Sequence, residues 1–237
     1  MLEANRIHPK VLYMKFDALS FAGCGTLNFY QTGVAHVLQQ AGLTEHIRYA
    51  GASAGSGLSV MLASGIDAQQ ICNKAIEILT PHHGKNVLVN PKVLKEFADS
   101  FLDEFIDENT LPIVGDRVHI SITQLLPFRN QLVNQFTDVE DLCKAIRASC
   151  HIPSVRYPYV YFRGQKCIDG GFTRNNPKVG TSCLRVSPFF FDPRMKIAPR
   201  RPTPPWWGVI VPTPKRAQKL FTQGAKDAKK RLSKWNR

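Results

Sequence analysis

Ile47-Arg48-Tyr49-Ala50-Gly51-Ala52-Ser53-Ala54-Gly55 is the stretch whose reading decides the fold. Ile47–Ala52 is a short apolar strand candidate, and Ala54–Ala63 continues as a small-residue helix. Between them stands Gly-x-Ser-x-Gly. A serine that must project from a tight strand-to-helix turn needs neighbours without bulk, so that the backbone can close the turn. The N-terminus of the following helix points N–H groups and its positive dipole end at the same spot. Small residues also collect at turns for packing alone, so Gly51, Ser53 and Gly55 need partners before they mean chemistry.

Working outward, Phe16–Ala22 is a strand candidate that runs into Gly23-Cys24-Gly25-Thr26-Leu27-Asn28. A helical pattern follows to Gln40, with Val34, Val37, Leu38 and Ala41 on one side and Gly42 as its stop. On the other flank, Asp67 caps a helix to about Leu79, and Pro81-His82-His83-Gly84 is a turn. Asn90-Pro91 opens a helix to about Phe105, Val118–Leu126 alternates as a strand, and Asp138 caps Val139–Ser149. Tyr159–Ile168 reads as one strand ending at Asp169-Gly170-Gly171. Strands alternating with helices predict an α/β fold with a mostly parallel central sheet. The 237 residues, 43% of them hydrophobic, suffice for one such domain.

Chain order narrows the chemistry. An α/β-hydrolase places its partners as Ser, then Asp or Glu, then His. All seven histidines (8, 36, 46, 82, 83, 119, 151) precede Asp169, so a triad using Asp169 in that order is impossible. A carboxylate base remains. Asp169 stands at the C-terminal end of a strand, where sites of parallel sheets gather, and Gly170 and Gly171 let the chain turn away from it. A carboxylate beside a serine hydroxyl in a water-poor cleft can take its proton and return it to a leaving alkoxide. The backbone N–H groups of Gly23, Cys24 and Gly25 can converge on one anion as an oxyanion hole. The rival dinucleotide reading of this loop lacks its third glycine and leaves Ser53 and Asp169 unexplained.

Charge is uneven. Of the net +13, residues 196–237 carry +11, with Asp227 their one acid. Pro199–Lys215 is Pro-rich and predicted to be an extended connector. Arg216–Arg237 puts Ala217, Leu220, Phe221, Ala225, Ala228, Leu232 and Trp235 on one helical stripe with cations on the remainder. Such a basic amphipathic helix either packs on the domain or lies in an anionic membrane or lipid-droplet surface, with Phe221, Leu232 and Trp235 inserted. No nucleic-acid module is recognisable, so nucleic acid is not expected as a partner. The six cysteines are scattered, without CxxC or zinc spacing, and are expected as free thiols; no metal or cofactor is expected. No apolar run reaches eighteen residues, and the N-terminus lacks signal-peptide features, so a cytoplasmic chain is expected.

Together the motifs resemble the patatin-like phospholipase family. SFAGCGTLNFYQTGVAHVL resembles its oxyanion loop and first helix, YAGASAGS its nucleophile elbow, and CIDGGFTRNNP the segment bearing its aspartate. The Gly-Cys-Gly form, SCHIPS at 149–154, RVSPFFFDPRMKIAP at 185–199 and the tail look most like the adipose triglyceride lipase and adiponutrin branch. The likeness covers roughly residues 12–232. It implies a three-layer α/β/α fold over residues 1–198, with 199–215 and 216–237 appended. It also implies a Ser53–Asp169 dyad, an oxyanion loop at Gly23, Cys24 and Gly25, and acylglycerol or phospholipid substrates. A glycine usually stands where this chain has Asn28; asparagine tolerates left-handed backbone, and its bulk is expected to bear on the oxyanion donors. The long C-terminal region of the branch's animal lipases is not seen, so droplet targeting through it is not carried over. The rival readings are a catalytically weak lipid-binding or regulatory protein and a lipid acyltransferase using the same dyad.

Overall fold

The computed structural model describes residues 16–189, 196–200 and 203–235. The N-terminal lead read as a cytoplasmic start, and the middle of the 185–199 stretch, fall outside them. In chain order the elements are β1 (Ala18–Phe21), α1 (Asn28–Gln40), β2 (Arg48–Ala52), α2 (Ala54–Ala63), α3 (Ala68–Leu79), α4 (Pro91–Phe105) and α5 (Thr110–Val114). Then follow β3 (Val118–Leu125), β4 (Phe128–Val133), α6 (Val139–Ser149), β5 (Val160–Phe162), β6 (Gln165–Asp169), α7 (Gly171–Arg174), β7 (Cys183–Val186) and α8 (Pro214–Trp235). The caps act as read: the Asp67 carboxylate accepts from the Gln69 and Gln70 N–H groups, and that of Asp138 from Asp141 N–H.

The sheet runs β5-β6-β3-β2-β1-β7, with β4 also on β3. It is mixed rather than mostly parallel. β7, β1, β2 and β3 pair in parallel, whereas β3–β4, β3–β6 and β5–β6 are antiparallel. The single strand expected over Tyr159–Ile168 is a hairpin. Arg163 and Gly164, at φ 46° and 74°, form its two-residue turn, the left-handed pair that tight hairpins use.

The fold is three-layer α/β/α with unequal outer layers. One sheet face, bearing Val118, Ile120 and Ile122, meets α2 and α6 in the main core, with α1 and α8 outside. The other face bears small side chains (Ala18, Ala50, Ser121, Thr123) and is covered by Val179 and by α7, whose Thr173 bonds Thr123. On the outer side α8 lies along α1, burying Ala217, Leu220, Phe221, Gly224 and Ala228. A Cβ on Gly33 would overlap the Phe221 carbonyl, and one on Gly224 that of Tyr30. The two backbones therefore touch where each helix has a glycine.

Of the two readings of this stripe, packing on the domain is the one seen, and Phe221, Leu232 and Trp235 are not free to insert into a lipid surface. Phe221 is buried on α1, Leu232 packs on the core, and the Trp235 ring lies 6.0 Å from that of Phe16. The stripe was real; its partner is the protein. Residues 199–215 also depart from a simple extended connector, since Pro205–Val209 forms a 3-10 turn over the Gly25 loop.

Candidate active site

Ser53 and Asp169 meet because two strands run toward each other on one edge of β3. Ile120 and Ser121 pair with both β2 and β4, and Ile122, Thr123 and Gln124 with both β4 and β6. A strand has two edges, so β2 and β6 share the edge opposite β4. β2 ends at Ala52, level with Ser121, and β6 descends to Asp169, level with Ile122. Their C-terminal ends abut. Ser53 follows one and Asp169 closes the other.

Ser53 sits at φ 52°, ψ −132°, a strained conformation for a side chain with a Cβ. The surroundings hold it there. Its N–H donates to Ser149 Oγ (2.9 Å), which donates to Ser121 O (2.7 Å), and the Ser56 hydroxyl and N–H both donate to Ser53 O. The elbow glycines have no spare room: a Cβ on Gly51 would overlap the Gly55 carbonyl, and one on Gly55 the Phe21 carbonyl. On the other strand, a Cβ on Gly170 would strike Ser121 O, while Gly171 N–H donates to Asp169 Oδ1 at 2.7 Å.

Asp169 is buried, and burial raises its carboxyl from 3.8 to about 6 against the opposing pull of the Ser53 hydroxyl and Gly171 N–H. Half-buried Cys150, near Asp169 and within reach of Ser53 and Ser56, has its thiol pushed up to about 12 by desolvation. No histidine joins Ser53 and Asp169 in the cleft lining, and among the described residues no cluster of metal-ligating side chains occurs.

The three residues of the glycine loop differ. Gly23 N–H donates to Asn175 O (3.0 Å), and a Cβ there would lie 2.6 Å from Asn175 Oδ1 and 3.0 Å from Ser53 Cβ. Gly23 therefore provides closeness. Among the described residues no acceptor is recorded for the N–H groups of Cys24 and Gly25, and both residues line the cleft beside Ser53. Gly25 takes φ 54° with its Cα against Gly208 O, which only glycine accommodates. Asn28 needs no left-handed backbone, having φ −58° and ψ −23°, so the expected reason for tolerating it does not apply.

Sequence reasoning passed over Gln31. It is fully buried on α1, bridging Ala22 in both directions: Ala22 N–H donates to Oε1 (2.8 Å) and Nε2 donates to Ala22 O (2.8 Å). Nε2 also reaches Asn28 Oδ1 (2.8 Å) and Cys24 Sγ (3.1 Å). One amide thus ties the end of β1 to the glycine loop and to Asn28. The signal was a glutamine amid the apolar residues of α1. Asn175, against Gly23 and Gly171, was likewise missed as a site residue.

Two spaces open at Ser53. A cleft of about 300 Å³ is lined by the glycine loop, Ile152, Asp169, Gly171, Phe172 and Asn175. A mostly apolar cavity of about 260 Å³ extends inward beside α3 and α4, past Met61, Ala75, Leu79, Phe97 and Phe101. Ser53 stands at the junction of the cleft that holds Asp169 and an oily recess, an arrangement that can take an amphiphilic ester.

Residues 19–178 match the patatin-like phospholipase family. The chain is 33% identical over 199 residues to human patatin-like phospholipase domain-containing protein 4, covering 79% of this chain and 76% of that protein. It is 30% identical to mouse 1-acylglycerol-3-phosphate O-acyltransferase Pnpla3 and 29% to human omega-hydroxyceramide transacylase, covering 73% of this chain in each case. It spans only 44% and 34% of those two proteins. The crystal structure of VipD from Legionella pneumophila shares the fold at TM-score 0.54 and 11% identity, over 93% of this chain and 67% of that one. The chain therefore belongs to the patatin-like phospholipase family, near the branch of adipose triglyceride lipase and adiponutrin.

Proposed function

We propose that this chain is a lipid acyl hydrolase working through a Ser53–Asp169 dyad and an acyl-enzyme. The observation that carries the reading is the junction itself. A strained serine and a buried carboxylate line one cleft, the N–H groups of Cys24 and Gly25 adjoin it, and an apolar cavity opens from it. The fatty chain of an ester lies in the cavity and its carbonyl reaches Ser53. Ser53 Oγ attacks the carbonyl carbon while its proton passes to Asp169, whose raised pKa makes it a better base than an ordinary aspartate. The oxyanion accepts hydrogen bonds from Cys24 and Gly25 N–H, each worth about 10²–10³ in rate, near the N-terminus of α2. Asp169 returns the proton to the leaving alcohol, and the acyl group remains as an ester on Ser53. Water, deprotonated by Asp169, then releases the fatty acid and restores Ser53.

A lipid alcohol replacing water in the last step makes the same site an acyltransferase. The acyltransferase and transacylase relatives favour keeping that second reading. Against a catalytically weak binding protein, Asn28 is helical and its side chain is held on Gln31, away from any role that needs glycine. Residues 1–198 are proposed as the hydrolase domain, with 199–215 and 216–237 appended to it. Lys219, Lys226, Lys229, Lys230 and Lys234 are exposed on α8, and residues 216–237 are proposed to draw the chain to anionic membrane or droplet surfaces by charge, as a peripheral protein. Among the described residues no helix is long and apolar enough to cross a membrane.

The test is labelling with a fluorophosphonate, followed by mapping of the adduct. Labelling of Ser53 and hydrolysis of a lipid ester, both lost in Ser53→Ala, are expected. Full turnover by Ser53→Ala or Asp169→Asn would remove the dyad. Wild type that labels but forms product only with an acceptor alcohol present would transfer the assignment to acyltransferase.

A further inference from the structure

At the end of the sheet beyond α7 the face of Thr123 carries exposed side chains, and strand register fixes which they are. Phe128 pairs with Leu125, and Tyr161 with Lys166. The β3–β6 register, carried on one step, sets Leu125 beside Lys166. Cross-strand partners share a face, so these four side chains form one row across β4, β3, β6 and β5, on the face of Thr123. β3 runs three residues past the level of Asp169, about 10 Å at strand rise, so its turn stands beyond the cleft mouth.

That end is apolar and uncovered. Phe128 and Tyr161 are 63% and 64% exposed, and Leu126 at the β3–β4 turn is 71% exposed. The turn that follows α6 starts beside Asp169, whose N–H donates to His151 O, and carries exposed Val155 and Tyr157. Exposed Phe172 stands at the cleft rim itself. These six account for more than half of the large apolar side chains left exposed among the described residues. Cations are interleaved with them. Residues 124–131, 150–166 and 171–175 contain Arg129, Arg156, Lys166 and Arg174, besides Arg163, which pairs with Asp141, and no acid of their own. Arg156 lies over the Tyr157 ring, and Lys166 over Tyr159. Apolar patches of this kind mark interaction sites, and aromatic side chains mixed with arginine and lysine suit the headgroup layer of a membrane.

We propose that this rim is a docking surface for anionic phospholipid, seating the cleft mouth against the bilayer. The inference rests on the reading of the site as one for lipid esters, whose substrate resides in such a surface. It assigns apolar insertion to the hairpins and the 151–157 turn. The apolar stripe of α8 is engaged by α1, so that helix contributes charge alone.

The test uses the full chain in flotation with phosphatidylcholine vesicles, with and without phosphatidylserine. Wild type is compared with a rim variant (Leu126→Ser, Phe128→Ser and Val155→Ser), with Val155→Asp alone, and with a helix variant (Lys226→Gln, Lys229→Gln and Lys230→Gln). Hydrolysis of a water-soluble butyrate ester is read in parallel. Binding to the anionic vesicles is expected to fall at least about tenfold in the rim variant and measurably in Val155→Asp. Soluble-ester turnover should stay unchanged in both. The helix variant is expected to lose only the salt-sensitive part of the binding. Wild-type-like flotation of the rim variant would overturn the proposal, as would loss of all binding in the helix variant with none in the rim variant. A wild type that docks through the rim but hydrolyses no ester would sink the hydrolase reading and leave the docking surface standing.

Discussion

Asp169→Asn separates chemistry from stability at one position. In the folded chain the carboxyl is raised from 3.8 to about 6, chiefly by burial. A raised carboxyl means that the folded state holds the proton more tightly than the unfolded state. Its favourable contribution is complete below pH 3.8 and disappears as pH rises through about 6. Above that, ionised Asp169 opposes folding by about 3 kcal/mol, the free-energy equivalent of the gap between the two values. Asparagine carries no charge, and its Oδ1 can keep the Gly171 N–H bond. The variant should therefore melt higher than wild type at pH 8, by about 2–4 °C per kcal/mol in a chain of this size. At pH 4.5, where the folded carboxyl is protonated but the unfolded one is still largely ionised, the difference should shrink to about a third, and it should vanish only below pH 3.8. Ester hydrolysis should fall by at least about 10³ at pH 8, since the base is gone, and by a smaller factor at pH 4.5, where wild-type Asp169 is itself protonated. Calorimetric melts at the two pH values and initial rates on a soluble ester make the assay. A variant less stable than wild type at pH 8, or a stability difference independent of pH, would refute the burial argument. Retained turnover would refute the base.

Wild-type kcat/KM should also rise through a group titrating near pH 6 and level off above it, and a rate flat from pH 5 to 8 would show that Asp169 is not the base. Gln31→Met keeps the volume but removes both bonds to Ala22, taking a buried partner from its C=O and leaving its N–H with Val186 O alone, costing about 1–3 kcal/mol. If Gln31 positions the glycine loop, kcat should drop about tenfold or more with KM little changed; a loss of melting temperature alone would confine it to a structural role. Gly51→Ala forces a Cβ into the Gly55 carbonyl and should destabilise by about 2–4 kcal/mol, measured by denaturant titration, whereas the control Gly57→Ala, whose Cβ meets nothing nearer than 4.0 Å, should not. Ala75→Phe narrows the apolar cavity. It should lower kcat/KM for palmitoyl esters at least about tenfold while sparing butyryl esters, and equal loss on both would place the acyl chain elsewhere.

The sequence by itself determined the local decisions. Residues within a few positions of one another set a cap, a turn or an amphipathic period, so Asp67, Asp138, the elbow around Ser53 and the stripe of α8 were all legible. So was the exclusion of a histidine-terminated triad, because chain order needs no coordinates. Arg163-Gly164 shows where that reading failed: a two-residue left-handed turn inside an apolar run passed for continuous strand. Tertiary structure decided everything that depends on what lies opposite. Period tells which residues share a face but not what covers it, so the same stripe on α8 could have met lipid and instead met α1. It also decided that Gly23 gives space, that among the described residues the Cys24 and Gly25 N–H groups have no acceptor, and that Gln31 ties their loop to the end of β1. The meeting of Ser53 with Asp169 belongs here too. It arises because β2 and β6 approach from opposite directions along one edge of β3, a register that no local signal in either strand encodes.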